Sequence, residues 1–261
     1  MNQSFFLDRA SGLHRLHPLT KLTLALVLVV AAFTLRWTFA PLAIFILIVL
    51  PLAAWGKILP EVLRTTLIVI LPLAVSLALV QGLFFPGAQT VLWQIGPFSL
   101  KQEGLEFAFV TATRLMVIAG AGLVLVYSTH PADLALALVQ AGAPYSLAYI
   151  VVTAIQLLPE MQARVQRILN AQQARGLETE GSLRVRLAAL VPLTAPLIYG
   201  ALESVQERAL ALDARAFRAP RRKTSWRELH DSGGQRALRY ALTGFAVLLV
   251  GLALLTVWLP R

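Results

Sequence analysis

The sequence predicts an all-α polytopic membrane protein with about five membrane-crossing helices. Three observations carry that prediction. Of 261 residues, 57% are hydrophobic and 14% charged, whereas soluble domains run nearer half apolar and a quarter charged. Mean hydropathy is +0.71. Five apolar runs approach the roughly 20 residues that a helix rising about 1.5 Å per residue needs to cross a bilayer. This composition excludes a disordered chain and an ordinary cytosolic enzyme. The absence of cysteine excludes disulfides, thiolate metal sites and a cysteine nucleophile.

The runs are Leu19–Leu35, Thr38–Trp55, Leu67–Phe85, Phe107–Ser128 and Tyr240–Leu259. The first two are separated only by Arg36 and Trp37, which reads as a tight hairpin with an interfacial anchor. The first is read as a retained helix rather than a cleaved leader, because a second apolar run follows at once and no polar segment appears before Gly56. Two shorter stretches, Pro144–Leu158 and the Pro192- and Pro196-bearing Leu187–Tyr199, are read as helices at the protein–lipid boundary or packed under the bundle.

Net charge is +10, and its placement predicts orientation. With the N-terminus in the cytoplasm, inside segments hold Arg9, Arg15, Lys21, Lys57 and Arg64, and residues 129–239 hold 14 more Lys and Arg. The outside holds Arg36, Lys101 and Arg261, and Arg114 lies within a span. That asymmetry places the N-terminus in the cytoplasm and the C-terminus outside, in the cell inner (cytoplasmic) membrane. The predicted organisation is a four-span region (1–128), a cytoplasmic and interfacial region (129–237) and a last membrane helix (238–261).

The middle region contains three helical segments. Thr129–Ala141 opens with Thr129 as a capping residue, Pro131 at the first helical position and Asp133 in the first turn. Pro144–Arg175 is apolar through Leu158, carries Pro159, which should kink or break the helix, and becomes amphipathic through Met161, Val165, Ile168, Leu169 and Gln172. Ser182–Arg218 repeats the plan, with Leu202, Val205, Ala209, Leu212 and Ala216 on one face and Pro220 at its end. Each of the last two segments finishes in an arginine with small neighbours: Ala174-Arg175-Gly176 and Ala214-Arg215-Ala216, 40 residues apart. Taken singly, each is explained by a cation at a helix C-terminus and a C-cap. Taken together, small flanks let a rigid guanidinium with five donors enter two similar grooves on a partner.

These residues resemble the T component of energy-coupling factor transporters (the EcfT, CbiQ and BioN type). The resemblance covers roughly residues 13–220. It rests on Leu16–Lys21, on Thr129-His130-Pro131-Ala132-Asp133-Leu134, on Leu158-Pro159-Glu160, on Ile168 through Gly176, and on Ala214-Arg215-Ala216. It implies a non-catalytic membrane scaffold bound to two ABC-type ATPases and to a small membrane S component that selects a vitamin or metal ion. It implies that Arg175 and Arg215 dock at the ends of coupling helices, with Ala174, Gly176, Ala214 and Ala216 as small flanks. Two departures stand out. The family's Asp-Pro-Arg-x-Lys reads His17-Pro18-Leu19-Thr20-Lys21 here, and the second motif ends in Ala216 rather than Gly, a less comfortable residue for a left-handed turn.

No G-x-x-x-x-G-K-[ST] phosphate loop occurs, so ATP hydrolysis is expected in partner chains. No catalytic constellation, cofactor or metal site is expected. His14 and His17 are spaced i, i+3, but only Asp8 lies near them as a further ligand. Arg114 is a possible intramembrane polar site: a mid-span arginine must face protein or water, either bonded to carbonyls in the bundle or contacting the S component. Gly82, Gly87, Gly120 and Gly122 permit close backbone approach. The basic run Arg218–Arg227 fits anionic lipid headgroups of the bilayer rather than nucleic acid. The alternative classes are a stand-alone secondary transporter, which requires functional charges within spans, and a lipid-acting enzyme, which requires clustered acids or histidines.

Overall fold

The computed structural model describes all residues except 1–5, 8, 36, 87–89, 96–97, 179–180, 218, 220–228 and 259–261. The basic run Arg218–Arg227, Pro220, Arg36, Gly87 and Asp8 therefore lie wholly or almost wholly outside the described residues. The all-α membrane architecture is present, and the chain divides into two compact units, Met1–Gly142 with Leu229–Arg261, and Ala143–Glu228.

In the first unit, α1 (Pro18–Thr34) starts where His17 caps it: the ring Nδ1 accepts from the Leu19 amide at 3.3 Å. Pro18 at the first helical position loses no needed donor. The next rod is α2 (Ala40–Ile44), a π-helical turn (Phe45–Val49) and α3 (Leu50–Trp55). The Leu50 amide bonds back to Phe45, one residue further than in an α-helix. This wider turn lies just before Pro51, whose ring would otherwise press on the preceding turn's carbonyl. At the end of α3, Lys57 takes a left-handed φ of 57°, and the Ile58 amide closes onto Ala53 O at 2.9 Å. That turn buries Ile58 completely and launches α4 (Leu59–Phe84).

An antiparallel hairpin, β1 (Val91–Ile95) and β2 (Phe98–Lys101), joins α4 to α5 (Gln102–Ser128). The sequence reading named no element between Phe85 and Phe107. α4 and α5 pack along each other, and they come close at Gly104, where a Cβ would lie 2.1 Å from Gln81 O. Gly120 gives a second close approach, to Phe45 and Val49, whereas Gly122 faces open space. The core joins Leu13, Ala32, Phe45, Val49, Ile58 and Val117.

After α5, the cap expected at Thr129 falls instead on His130, whose Nδ1 accepts from the Ala132 amide at 3.2 Å. The residue preceding Pro131 is forced extended, and that geometry belongs to the N-cap; Thr129 is buried. α6 (Pro131–Gln140) packs on α1, as does α9 (Gly233–Trp258).

The second unit is built on α7 (Tyr145–Ala174) and α8 (Leu183–Ala214). Pro159 does not break α7, and Pro192 and Pro196 do not break α8. One missing donor costs a helix about 3 kcal/mol, and the hydrogen-bonded turns on either side of each proline carry these long helices through.

Among the described residues, four helices are long and apolar enough to cross a membrane: Leu59–Phe84, Gln102–Ser128, Leu183–Ala214 and Gly233–Leu255. Pro18–Thr34 and Ala40–Trp55 fall among the shorter apolar helices. The set thus differs from the expected five. The first two predicted spans are at or below the lower end of the crossing length. The stretch Leu187–Tyr199, read as a helix at the protein–lipid boundary or under the bundle, belongs to a 32-residue helix because alanine and leucine extend it beyond the prolines.

Candidate functional site

The ends of α7 and α8 have the same backbone geometry. Arg175 is the C-cap of α7, and Gly176 follows at φ 92°. The Leu177 amide bonds Gln172 O at 3.0 Å, and the Gly176 amide bonds Gln173 O at 2.9 Å. Arg215 is the C-cap of α8, and Ala216 follows at φ 53°. The Phe217 amide bonds Leu212 O at 2.9 Å, and the Ala216 amide bonds Asp213 O at 2.9 Å. Both are Schellman closures, a six-to-one bond enclosing a five-to-two bond. The left-handed turn that was expected to sit poorly on Ala216 forms there nonetheless.

Main-chain amides thus close both helix ends, and neither arginine side chain bonds a terminal carbonyl. Arg175 and Arg215 are exposed, as are Ala174, Gly176, Ala214 and Ala216. Among the described residues neither guanidinium has a hydrogen-bond partner. Each tip therefore presents five unused donors on a rigid turn with no bulky neighbour beside it.

The two helices run against each other in antiparallel order. Arg164 donates to Ser204 Oγ at 2.7 Å, and Arg208 donates to Glu160 Oε2 at 2.5 Å. Tyr145 and Tyr149 lie against Phe217, with ring centroids 5.7 and 4.9 Å apart. Lower numbers on α7 meet higher numbers on α8, so the two arginine tips lead away from the contact in opposite directions. From the Arg164–Ser204 contact each tip is about 17 Å along its own helix, which puts the arginines roughly 25–35 Å apart.

Residues 9–226 match the family described as CbiQ, cobalt transport protein. The chain belongs to the CbiQ family. An energy-coupling factor transporter transmembrane protein EcfT of Heliobacterium modesticaldum is 31% identical over 252 residues, covering 92% of each chain. The EcfT of Leuconostoc gelidum subsp. gasicomitatum is 28% identical over 93% of each chain. A longer Bifidobacterium longum protein, whose name includes ABC transporter ATP-binding protein, is 29% identical over 84% of this chain but only 29% of its own length.

Arg114 of this CbiQ-family chain sits in α5 and donates from Nε to Ala32 O at 3.1 Å, with its guanidinium carbon 5.2 Å from the Phe33 ring centroid. A carbonyl of α1 and an aromatic face thus supply the partners that an intramembrane cation needs. Lys21 is buried in the first unit; its Nζ donates to Ser128 O at 2.6 Å, tying the start of α1 to the end of α5. His14 uses both ring nitrogens on Ser11 Oγ (2.7 Å) and Leu7 O (2.9 Å). Among the described residues no group of three or more His, Cys, Asp or Glu side chains is placed to hold a metal ion.

One polar cluster escaped the sequence reading. The His17 amide donates to Gln235 Oε1 at 2.7 Å, and Arg239 donates to His17 Nδ1 at 3.1 Å. Asp231 accepts from Arg236 at 2.9 Å and Arg239 at 2.5 Å. Burial pushes the His17 pKa below its ordinary value, with Asp231 opposing and Arg239 reinforcing the shift. Burial works against a charged Asp231, but the hydrogen bonds from Arg239 and Arg236 outweigh it and hold the carboxyl below its usual range. His17 thus stands where the resembling motif carries an acid, and the acid is supplied from beside α9. More than 200 residues of sequence separate the partners, so no local pattern announced them.

Proposed function

We propose that this chain is the transmembrane coupling subunit of an energy-coupling factor importer for a vitamin or a transition-metal ion. In this reading two ABC-type ATPases dock at its helix tips, and their ATP-driven motion passes along α7 and α8 to a small substrate-binding S component. Arg175 and Arg215 are the docking cations, and Ala174, Gly176, Ala214 and Ala216 keep their approaches open. The subunit itself performs no catalysis. Residues 129–237 and the N-terminus face the cytoplasm, where the ATPases are.

The observation that carries the reading is the pair of exposed arginines, without hydrogen-bond partners among the described residues, on two like left-handed turns. A helix cap alone would be satisfied by the amides of Gly176, Leu177, Ala216 and Phe217, so capping leaves the guanidinium groups without a task. Two like tips suit a partner that offers two like grooves. The Bifidobacterium longum relative supports the same reading, since a segment similar to this chain is part of a longer protein named for ATP binding.

The test is co-purification of the intact chain with its ATPases in mild detergent. Arg175→Ala and Arg215→Ala should each reduce the ATPase retained, and the double variant should retain least. Full retention by the double variant, with transport intact, would sink the docking assignment.

A further inference from the structure

The contact between α7 and α8 sits on a numerical symmetry. Arg164 and Ser204 differ by 40, as do Arg175 and Arg215. Arg164 and Ser204 are therefore equivalent positions on two helices of like plan, and they touch each other. A direct contact between equivalent positions of two like elements marks a local pseudo-two-fold axis, and the axis leaves the two tips equally far from it.

Polar groups hold this point. Glu160 Oε2 takes the Arg208 guanidinium, and its Oε1 lies 3.9 Å from Arg164 one turn away. Arg164 is the less exposed of the two arginines. One of its terminal nitrogens bonds Ser204, while the other is buried with no hydrogen-bond partner. That second nitrogen lies over Gly200, where a Cβ would come within 2.8 Å of it. Glu160 thus pairs with both arginines, and Gly200 leaves the room that Arg164 occupies. Apolar packing contributes little fixity here, since α7 has no buried residue.

We propose that Glu160, Arg164, Ser204 and Arg208 form a polar brace that sets the angle between α7 and α8, and with it the distance between the Arg175 and Arg215 tips. They are positioning residues: they act on the ATPases through the tips and do not touch them. The role in docking rests on the proposed function, but the effect on geometry does not. A small rotation at the brace is amplified over about 17 Å of helix on each side, so the tips are sensitive to its integrity. An ATPase pair with grooves at fixed spacing would read that distance.

The chain has no native cysteine, so Ala171→Cys with Ala211→Cys, both exposed and 40 apart, provides a single spin-label pair. Pulsed electron spin resonance on the full chain in nanodiscs should give one narrow distance. Glu160→Gln and Gly200→Ala should each shift that distance or add a second population, whereas Arg208→Lys, which keeps the charge, should retain the parent value. The same two disruptive variants should retain less ATPase on co-purification. An unchanged distance in both variants overturns the proposal, and so does a changed distance with full ATPase retention. Loss of the docking reading registers separately, as full ATPase retention by the Arg175→Ala, Arg215→Ala double variant.

Discussion

Lys57 and Ala216 share a left-handed backbone, at φ 57° and 53°, although neither is glycine. Each closes a Schellman turn at the end of a helix. A side chain in this region costs about 1 kcal/mol or more relative to glycine, so the surrounding hydrogen bonds impose the turn. At Lys57 the turn buries Ile58; at Ala216 it exposes Arg215.

The tips give the first stability prediction. Gly176→Ala should destabilise the end of α7 by about 1 kcal/mol, because φ 92° suits glycine alone. Ala216→Gly should stabilise the end of α8 by up to about 1 kcal/mol through the same term with opposite sign. Hydrogen exchange at the Leu177 and Phe217 amides, each bonded into its closure, reads both effects locally.

Docking affinity gives the second. Losing hydrogen bonds from a charged donor costs about 1.5–3 kcal/mol, so each single Arg→Ala change should weaken ATPase binding about ten- to hundredfold. Arg175→Lys should recover only part of the loss, because an ammonium lacks the planar fork. Titration of purified ATPase onto the nanodisc-bound chain measures both quantities.

Gly104 gives the third. A methyl group there would sit 2.1 Å from Gln81 O, and a backbone carbonyl cannot swing aside as a side chain does. Gly104→Ala should push α4 from α5 and cost about 1–3 kcal/mol. Gly122→Ala, which meets nothing within 4 Å, should be close to neutral. Thermal unfolding of both variants in one detergent makes the comparison.

Acid gives the fourth. His17 Nδ1 accepts from both Leu19 and Arg239, so a proton there would remove two bonds and face a guanidinium. The groups facing His17 are Asp231, Arg236, Arg239 and Gln140. Its pKa is lowered on folding, so the unfolded chain binds the proton more readily. The contribution is therefore complete above the ordinary value of 6.5 and is lost as pH falls below it. Asp231, also lowered, adds stability above its ordinary 3.8 and loses it at still lower pH. Hydrogen-exchange protection in the first turns of α1 and α9, taken relative to the intrinsic rate at each pH, should fall between pH 7.5 and 5 in the parent. In His17→Asn, which can cap but not titrate, the pH dependence should be absent.

Much of the architecture was legible in the sequence because its causes are local. Apolar runs located most helices. Pro131 and Gly176 marked boundaries through their own backbone limits, and the paired arginine motifs stood out by composition and spacing. The sequence also marked Ala216 as an awkward place for a turn that the structure nevertheless makes.

Where local signals competed, only the folded chain decided. Pro159 read as a kink or break, yet α7 runs through it, as α8 runs through Pro192 and Pro196. No sequence signal marked the π-helical turn that lies just before Pro51. Thr129 read as the cap, but the extended geometry that Pro131 imposes on the residue before it gave that place to His130. Hydrophobic periodicity and residue preference act over a turn or two of chain, and that range is what the sequence by itself determined. The Arg164–Ser204 contact, the Arg239–His17 clasp and the seat of Gly104 against Gln81 join residues far apart in the chain. Their partners are fixed by packing, which brings one backbone against another, and the tertiary structure alone decided them.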